Sequence, residues 1–159
     1  MRLTAVAAAA LLPQLPLLPE RLARWRRLYD RLARGLMDLD GLRLPRRDKR
    51  EDFVGSSLQF FVDDSVVDID RFCAVADELG VHVKWFGSER PAGFTSSYRS
   101  WAYARASRLP RTDALLAGLC DLRVPLALDV ADCDHVVEIL AYALETAKAA
   151  QERDANTTK

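Results

Sequence analysis

Ser57-Leu58-Gln59-Phe60-Phe61-Val62, then Asp63-Asp64-Ser65, then Asp68 and the segment from Ile69 to Gly80, then Val81-His82-Val83-Lys84-Trp85: the reading of this stretch decides the fold. The first six residues are mostly apolar and aromatic and are closed by turn-forming residues, which predicts a strand. Asp68 carries a side-chain acceptor suited to cap a helix. Ile69, Phe72, Cys73, Ala76 and Leu79 recur at steps of three and four, predicting one buried helical face, and Gly80 stops it. Val81, Val83 and Trp85 then alternate with His82 and Lys84, predicting a second strand. A helix with a single apolar face between two strands must lay that face on a sheet.

Outward from this centre, Leu22, Trp25, Leu28, Tyr29, Leu32 and Leu36 make the apolar stripe of a helix over residues 20–36, with Arg24, Arg27, Arg31 and Arg34 mostly off the stripe. Residues 3–12 read as a short Ala- and Leu-rich helix. Pro13, Pro16 and Pro19 predict a rigid bend between the two, because each lacks an N–H and restricts its predecessor. Residues 41–45 read as a short extended piece and residues 46–52 as a charged loop. Residues 87–108 read as a long irregular segment holding Phe94, Tyr98, Trp101 and Tyr103. A short helix over 109–119 follows, then a third strand over 121–128, with Pro125 placing it at an edge or bulge. Asp132 opens a last helix with Val136, Leu140, Ala143 and Leu144 inward, and residues 151–159 read as a disordered polar tail. The expected class is α+β, a small sheet covered on one face by helices, with a helical joining segment at 1–40 and the α+β domain at 41–150.

The chain has 159 residues, one domain's worth, and half of them are hydrophobic, enough for a core. Lys plus Arg equal Asp plus Glu at 23 each, which argues against a generally basic nucleic-acid binder. The balance is uneven: residues 1–50 carry 12 basic and 5 acidic side chains, a net of +7, and the remainder a net of −7. The two parts are placed to attract each other, or the arginines form a solvated helix face. Cys73, Cys120 and Cys133 are odd in number and widely spaced, so no disulfide framework is expected and a reducing, cytoplasmic setting fits. No apolar run is long enough to span a membrane. Met1-Arg2 followed by residues 3–12 has the charged and apolar start of a secretory signal, but it runs into prolines with no small-residue cleavage site. Cys133-x-His135 is too small a cluster for a metal and reads as surface or capping residues. Asp63-Asp64 reads as a turn, and Asp129, Asp132 and Asp134 lack the spacing of a Ca²⁺ loop.

Arg2-Leu3-Thr4, Ala8-Ala9, Gln14-Leu15, Arg26-Arg27 and Tyr29 resemble the helical segment that opens the C-terminal small domain of the sugar aminotransferases of DegT/StrS type, pyridoxal-phosphate enzymes of fold type I. The resemblance continues through Gly41-Leu42-Arg43-Leu44-Pro45, Ile69 to Gly80, Val81 to Phe86, Leu109-Pro110, Asp121-Leu122-Arg123-Val124-Pro125-Leu126 and the helix from Asp132. It implies that the apolar start is the family's domain-joining helix. It also implies that this chain matches about the last two fifths of an enzyme whose larger domain carries the cofactor lysine. Lys49, Lys84, Lys148 and Lys159 do not match that lysine's context, so pyridoxal phosphate is not expected on this chain alone. The parent reaction passes an amino group from an amino acid to a keto sugar. The implied partner is the missing cofactor domain or a second subunit, within a homodimer for the full enzyme.

The resemblance makes Arg123 a candidate for the amino donor's carboxylate, since a guanidinium holds a carboxylate by two parallel hydrogen bonds. Lys84, Trp85, Tyr98 and Arg99 are candidates to line the substrate entrance; no catalytic or metal-binding residue is expected. The plainer alternative makes Arg123 an ion-pair partner of Asp121 or Asp129 and the other four surface and packing residues. A split enzyme, a non-catalytic interaction module using the Arg-rich helix and aromatic loop, and a secreted α+β domain stay open as readings of the whole.

Overall fold

Along Ser57–Val62 every second side chain, Leu58, Phe60 and Val62, is buried, the period-two pattern of a strand with one face on a core. A computed structural model describes residues 4–48, 50–89, 103 and 109–157 of the chain. Its elements are α1 (Ala5–Leu11), a 3₁₀ helix (Leu12–Leu17), α2 (Leu18–Met37), β1 (Leu42–Arg43), β2 (Ser57–Val62), α3 (Ile69–Glu78), β3 (Val83–Trp85), α4 (Pro110–Ala117), β4 (Leu119–Arg123) and α5 (Val130–Thr157). The four strands form an antiparallel sheet in the order β1-β2-β4-β3. Leu58, Phe60, Val62, Val83, Cys120 and Leu122 face the helices, where they meet Leu32 and Leu36 of α2, Phe72 and Ala76 of α3, and Leu140, Ala143 and Leu144 of α5. Phe60 and Phe72 meet edge to face with ring centroids 6.3 Å apart. The structure is therefore the expected α+β sheet covered on one face by helices.

Local chemistry explains the boundaries. The Asp68 carboxylate accepts from the Arg71 N–H at 3.1 Å and caps α3. Gly80, at φ +87°, ends it: its N–H donates to the Asp77 carbonyl and the Val81 N–H reaches back to the Ala76 carbonyl. Leu79, expected on the buried face, is 47% exposed, because the chain leaves helical geometry there and Val75 takes the inward position. The three prolines are absorbed in the 3₁₀ turn and the first turn of α2, where a missing N–H costs little; α2 thus starts at Leu18, earlier than its apolar stripe suggests.

Four further expectations are corrected near the C-terminus. The third strand is Leu119–Arg123 rather than 121–128. The Val124 N–H still bonds the Ser56 carbonyl, but Pro125 has no N–H to give and begins a turn closed by Leu128 N–H on its carbonyl. The last helix begins at Val130 rather than Asp132. Asp129 and Asp132 cap it reciprocally, each carboxylate accepting the other's backbone N–H, at 2.9 and 2.8 Å. The expected disordered tail is helical as far as Thr157, and Gln151 Nε2 anchors it by donating to the Asp64 carbonyl at 3.3 Å. Cys133, expected at the surface, is fully buried, because its position on α5 faces α2, with Sγ 3.9 Å from the Leu28 carbonyl.

Part of the charge asymmetry is realised as contacts. Arg31 of α2 bonds Asp134 of α5 at 2.5 Å, and Arg26 pairs with Asp52. Arg24 donates to the Leu128 carbonyl and Trp25 Nε1 to the Val124 carbonyl, tying α2 to the segment after β4. Exposed pairs of this kind contribute little stability each, at most about 1 kcal/mol.

Candidate functional site

The register decides which side chains share the sheet face away from the core. Gln59 and Lys84 both pair with Asp121, and Ser57 pairs with Arg123. Strand alternation then places Ser57, Gln59, Phe61, Lys84, Asp121 and Arg123 on that outer face. Two sequence candidates, Lys84 and Arg123, thus share a face, with Asp121 between them in the weave. Trp85 takes the opposite parity; its Nε1 donates to the Ala117 carbonyl at 2.5 Å, fixing the indole against the end of α4. Trp85 also lines a cavity of about 350 Å³ with Asp70, Gly87, Ser88 and Glu89. Tyr98 and Arg99 lie outside the described residues, as does the rest of the long segment from residue 90 to 108 apart from Tyr103.

Arg123 is exposed, and among the described residues it makes no ion pair or side-chain hydrogen bond. The alternative partners do not take it: the Asp129 carboxylate is engaged with the Asp132 N–H, and Asp121 has no hydrogen bond to it. Lys84 is half-buried with its ammonium 5.6 Å from the Phe86 ring centroid, a cation–π arrangement. Asp121 is the only buried charged side chain among the described residues.

A second feature is a groove of about 610 Å³ between β1, β2 and α4, lined by Arg43, Phe61, Asp63, Asp64, Arg111 and neighbouring small residues. Arg43 lies 4.4 Å from the Phe61 ring centroid. Asp63 is already occupied: the Ser65 hydroxyl and N–H donate to it and hold its carboxyl below the usual range. Sequence reasoning missed this groove. Its walls come from three elements distant in the chain, and although Arg43 lies in the family-like run from Gly41 to Pro45, no local pattern joins it to Arg111.

Pyridoxal phosphate needs a lysine amine that can act as a nucleophile and backbone donors for a phosphate. Lys148 is hydrogen-bonded to Glu145 at 2.9 Å and lies 3.5 Å from Asp40, and these partners raise its pKa and keep it protonated. Lys84 sits over Phe86 on the sheet face away from the core. Lys49 and Lys159 lie outside the described residues. The glycines with left-handed backbone, Gly41, Gly55 and Gly80, stand in three separate turns, none joined to a helix start beside a lysine. The described residues do not fit the group. They also hold no cluster of three or more metal-ligating side chains, and no described helix is long and apolar enough to cross a membrane. Cys120 is fully buried, and its thiol pKa is pushed up by a hydrogen bond with Cys73 and by burial, leaving it inert as a nucleophile.

Comparison with known proteins adds the family. The fold is similar to that of an aminotransferase, TlmJ, from Streptoalloteichus hindustanus (TM-score 0.72, 24% identity, 89% of this chain and 36% of that one). It is also similar to DesI, solved in the presence of its TDP-sugar product (TM-score 0.73, 23% identity, 96% and 38%). A third match is 3-amino-5-hydroxybenzoic acid synthase (TM-score 0.71, 21% identity, 92% and 40%). The chain spans about two fifths of the length of these structures. Comparison with curated proteins found no match. The model of one family matches residues 1–141, nearly all of the sheet and its helices. On that match the chain belongs to the DegT/DnrJ/EryC1/StrS aminotransferase family.

Proposed function

We propose that this chain is the C-terminal part of a sugar aminotransferase, passing an amino group from an amino acid to a keto sugar once a cofactor-bearing domain is supplied. Its own contribution is to bind and orient substrate. The observation that carries this reading is Arg123, exposed at the end of β4 on the sheet face away from the core, with no partner among the described residues. A rigid strand aims the planar guanidinium, and a donor carboxylate supplies the two acceptors it lacks. Lys84, on the same face, lines the approach for the anionic or hydroxylated parts of the substrates.

The missing domain is supplied in this reading by a second chain or a further segment, and the N-terminal arm supports that need. Val6, Leu11, Leu12, Leu15, Leu17 and Leu18 are all exposed, and neither α1 nor the 3₁₀ turn contributes a buried residue. An apolar surface of this kind is characteristic of a protein interface. An interaction module without catalysis would use the Arg-rich helix and the aromatic segment instead.

Reconstitution tests the proposal. The chain is mixed with the separately produced cofactor domain of a family member. Release of the 2-oxo acid from glutamate is measured apart from formation of the amino sugar. Arg123→Ala is expected to slow the glutamate half by about tenfold or more, the loss of a charge-assisted hydrogen bond of about 1.5–3 kcal/mol. Arg123→Lys, which keeps charge but not the fork, is expected to lie between. Equal loss in both halves with a lowered melting temperature refutes the role.

A further inference from the structure

Cys73 and Cys120 stand far apart in the sequence, and the fold brings their thiols together. Cys120 is a core-facing residue of β4, paired across the two ladders with Phe60 and Trp85. Cys73 stands on α3 next to Phe72, whose ring meets that of Phe60 edge to face with centroids 6.3 Å apart. α3 therefore lies over the place where β2 meets β4, and there the Cys73 and Cys120 thiols share a hydrogen bond. The two partners differ in access. Cys120 is fully buried, whereas Cys73 is partly exposed at the margin of the core. Cys133 is the contrast: it is also fully buried, but its Sγ faces the Leu28 carbonyl between α5 and α2 rather than a thiol. A cysteine buried by itself is a small apolar filler. Two sulfurs in contact, one of them within reach of solvent, can do chemistry that Cys133 cannot.

We propose that Cys73 and Cys120 form an oxidisable dithiol, a modification site at which hydrogen peroxide converts the two thiols into an internal disulfide that ties α3 to β4. Cys73, the sulfur that solvent reaches, gives up its proton and attacks one peroxide oxygen. The O–O bond breaks, the departing hydroxide takes up a proton to become water, and Cys73 is left as a sulfenic acid. The Cys120 sulfur then attacks the Cys73 sulfur. The S–S bond forms, the S–O bond breaks, and the hydroxide leaves with the Cys120 proton as a second water. Two thiols and one peroxide thus give one disulfide and two waters; each sulfur gives up one electron and the peroxide takes both. Burial keeps Cys120 inert toward reagents in solution, and the second step needs none, because its target is the sulfur it already touches. Contact of this kind gives the second thiol a high effective concentration. Capture by Cys120 also halts Cys73 before the irreversible sulfinic and sulfonic acids, and a thiol reductant restores both residues by exchange. The site is independent of Arg123 and of the reading built on it.

The full chain is reduced, freed of reductant and treated with a small excess of hydrogen peroxide. It is then unfolded in an alkylating reagent and mapped by mass spectrometry without reduction. The expected product has lost two hydrogens, joins the peptides of Cys73 and Cys120, and carries the alkyl group on Cys133. The Cys73–Cys120 link should exceed any link to Cys133 by about tenfold or more, and dithiothreitol should reverse it. Cys120→Ala removes the second thiol, so Cys73 is expected to accumulate as a sulfenic acid trapped by dimedone, which the parent chain yields only faintly. Cys73→Ser removes the accessible thiol, and Cys120 is then expected to stay unoxidised at the same dose. Should Cys120→Ala fail to fold, the parent chain's map and Cys73→Ser still decide. Cys73 carried to the sulfinic acid while Cys120 stays a thiol overturns the proposal. So does a link to Cys133 in equal yield, or a chain that loses no hydrogen.

Discussion

Gly35 of α2 packs directly against Val137 of α5, and a methyl group added there tests the packing. A Cβ at Gly35 lies 2.6 and 2.8 Å from the two γ-carbons of Val137 and 3.2 Å from its β-carbon. Ordinary carbon contacts sit at about 3.5–4.0 Å, so the helices must part by about 1 Å or Val137 must turn. Turning is hindered, because a β-branched side chain in a helix has one strongly preferred rotamer. Overpacking of this kind costs about 1–3 kcal/mol, and the three simultaneous contacts with a stiff side chain put Gly35→Ala near the upper end. Replacing glycine in a helix interior returns about 1 kcal/mol of propensity. The expected net loss is about 1–2 kcal/mol, a fall in melting temperature of about 3–6 °C for a chain of this size. Val137→Ala removes both γ-carbons, so the double variant should recover the propensity gain and show a coupling energy of about 2 kcal/mol. Thermal unfolding followed by circular dichroism at constant pH measures all four proteins. A Gly35→Ala chain more stable than the parent, or strictly additive effects, would refute the close approach of α2 and α5.

Further expectations follow from the caps, the charges and the arm. Asp129→Ala breaks the reciprocal cap with Asp132 and should cost about 1 kcal/mol, read as a lower denaturation midpoint in urea; Asp129→Ser should restore most of it. Arg50 beside Asp48, Ser65 beside Asp63 and Arg31 beside Asp134 each hold a carboxyl pKa below its ordinary value. Groups depressed in the folded state add stability above their unfolded pKa, about 3.9, and lose it as pH falls through the folded value. The melting temperature should therefore change little from about pH 5 to 7 and fall below about pH 4, and a rise in that range would contradict the pairings. The chain alone should self-associate or bind a hydrophobic dye through Leu12 and Leu15, and Leu12→Arg with Leu15→Arg should suppress it in sedimentation. A monomer without dye binding would count against an uncovered interface.

The fold class was legible from residues 57–85, because strand alternation, a capped helix with one apolar face and a glycine stop are local patterns whose periods have different geometric origins. The Arg-rich helix, the short extended piece at Leu42–Arg43 and the family resemblance were legible for the same reason. What local pattern does not contain is the end of a ladder or a helix. Pro125 cut the last strand short, Asp129 rather than Asp132 set the start of α5, and the tether from Gln151 to Asp64 kept polar residues helical that composition marks as a tail. Burial of Cys133 needed the position of α2, about a hundred residues earlier in the chain. The candidate site was legible only as separate residues: Arg123 and Lys84 were named from sequence as candidates, but Asp121 appeared only as an alternative ion-pair partner. Register across β2, β4 and β3 alone set Asp121 between Gln59 and Lys84. Pairing register is decided by which faces the sheet buries, a tertiary quantity, and that is why the chemistry of the outer face had to wait for the structure.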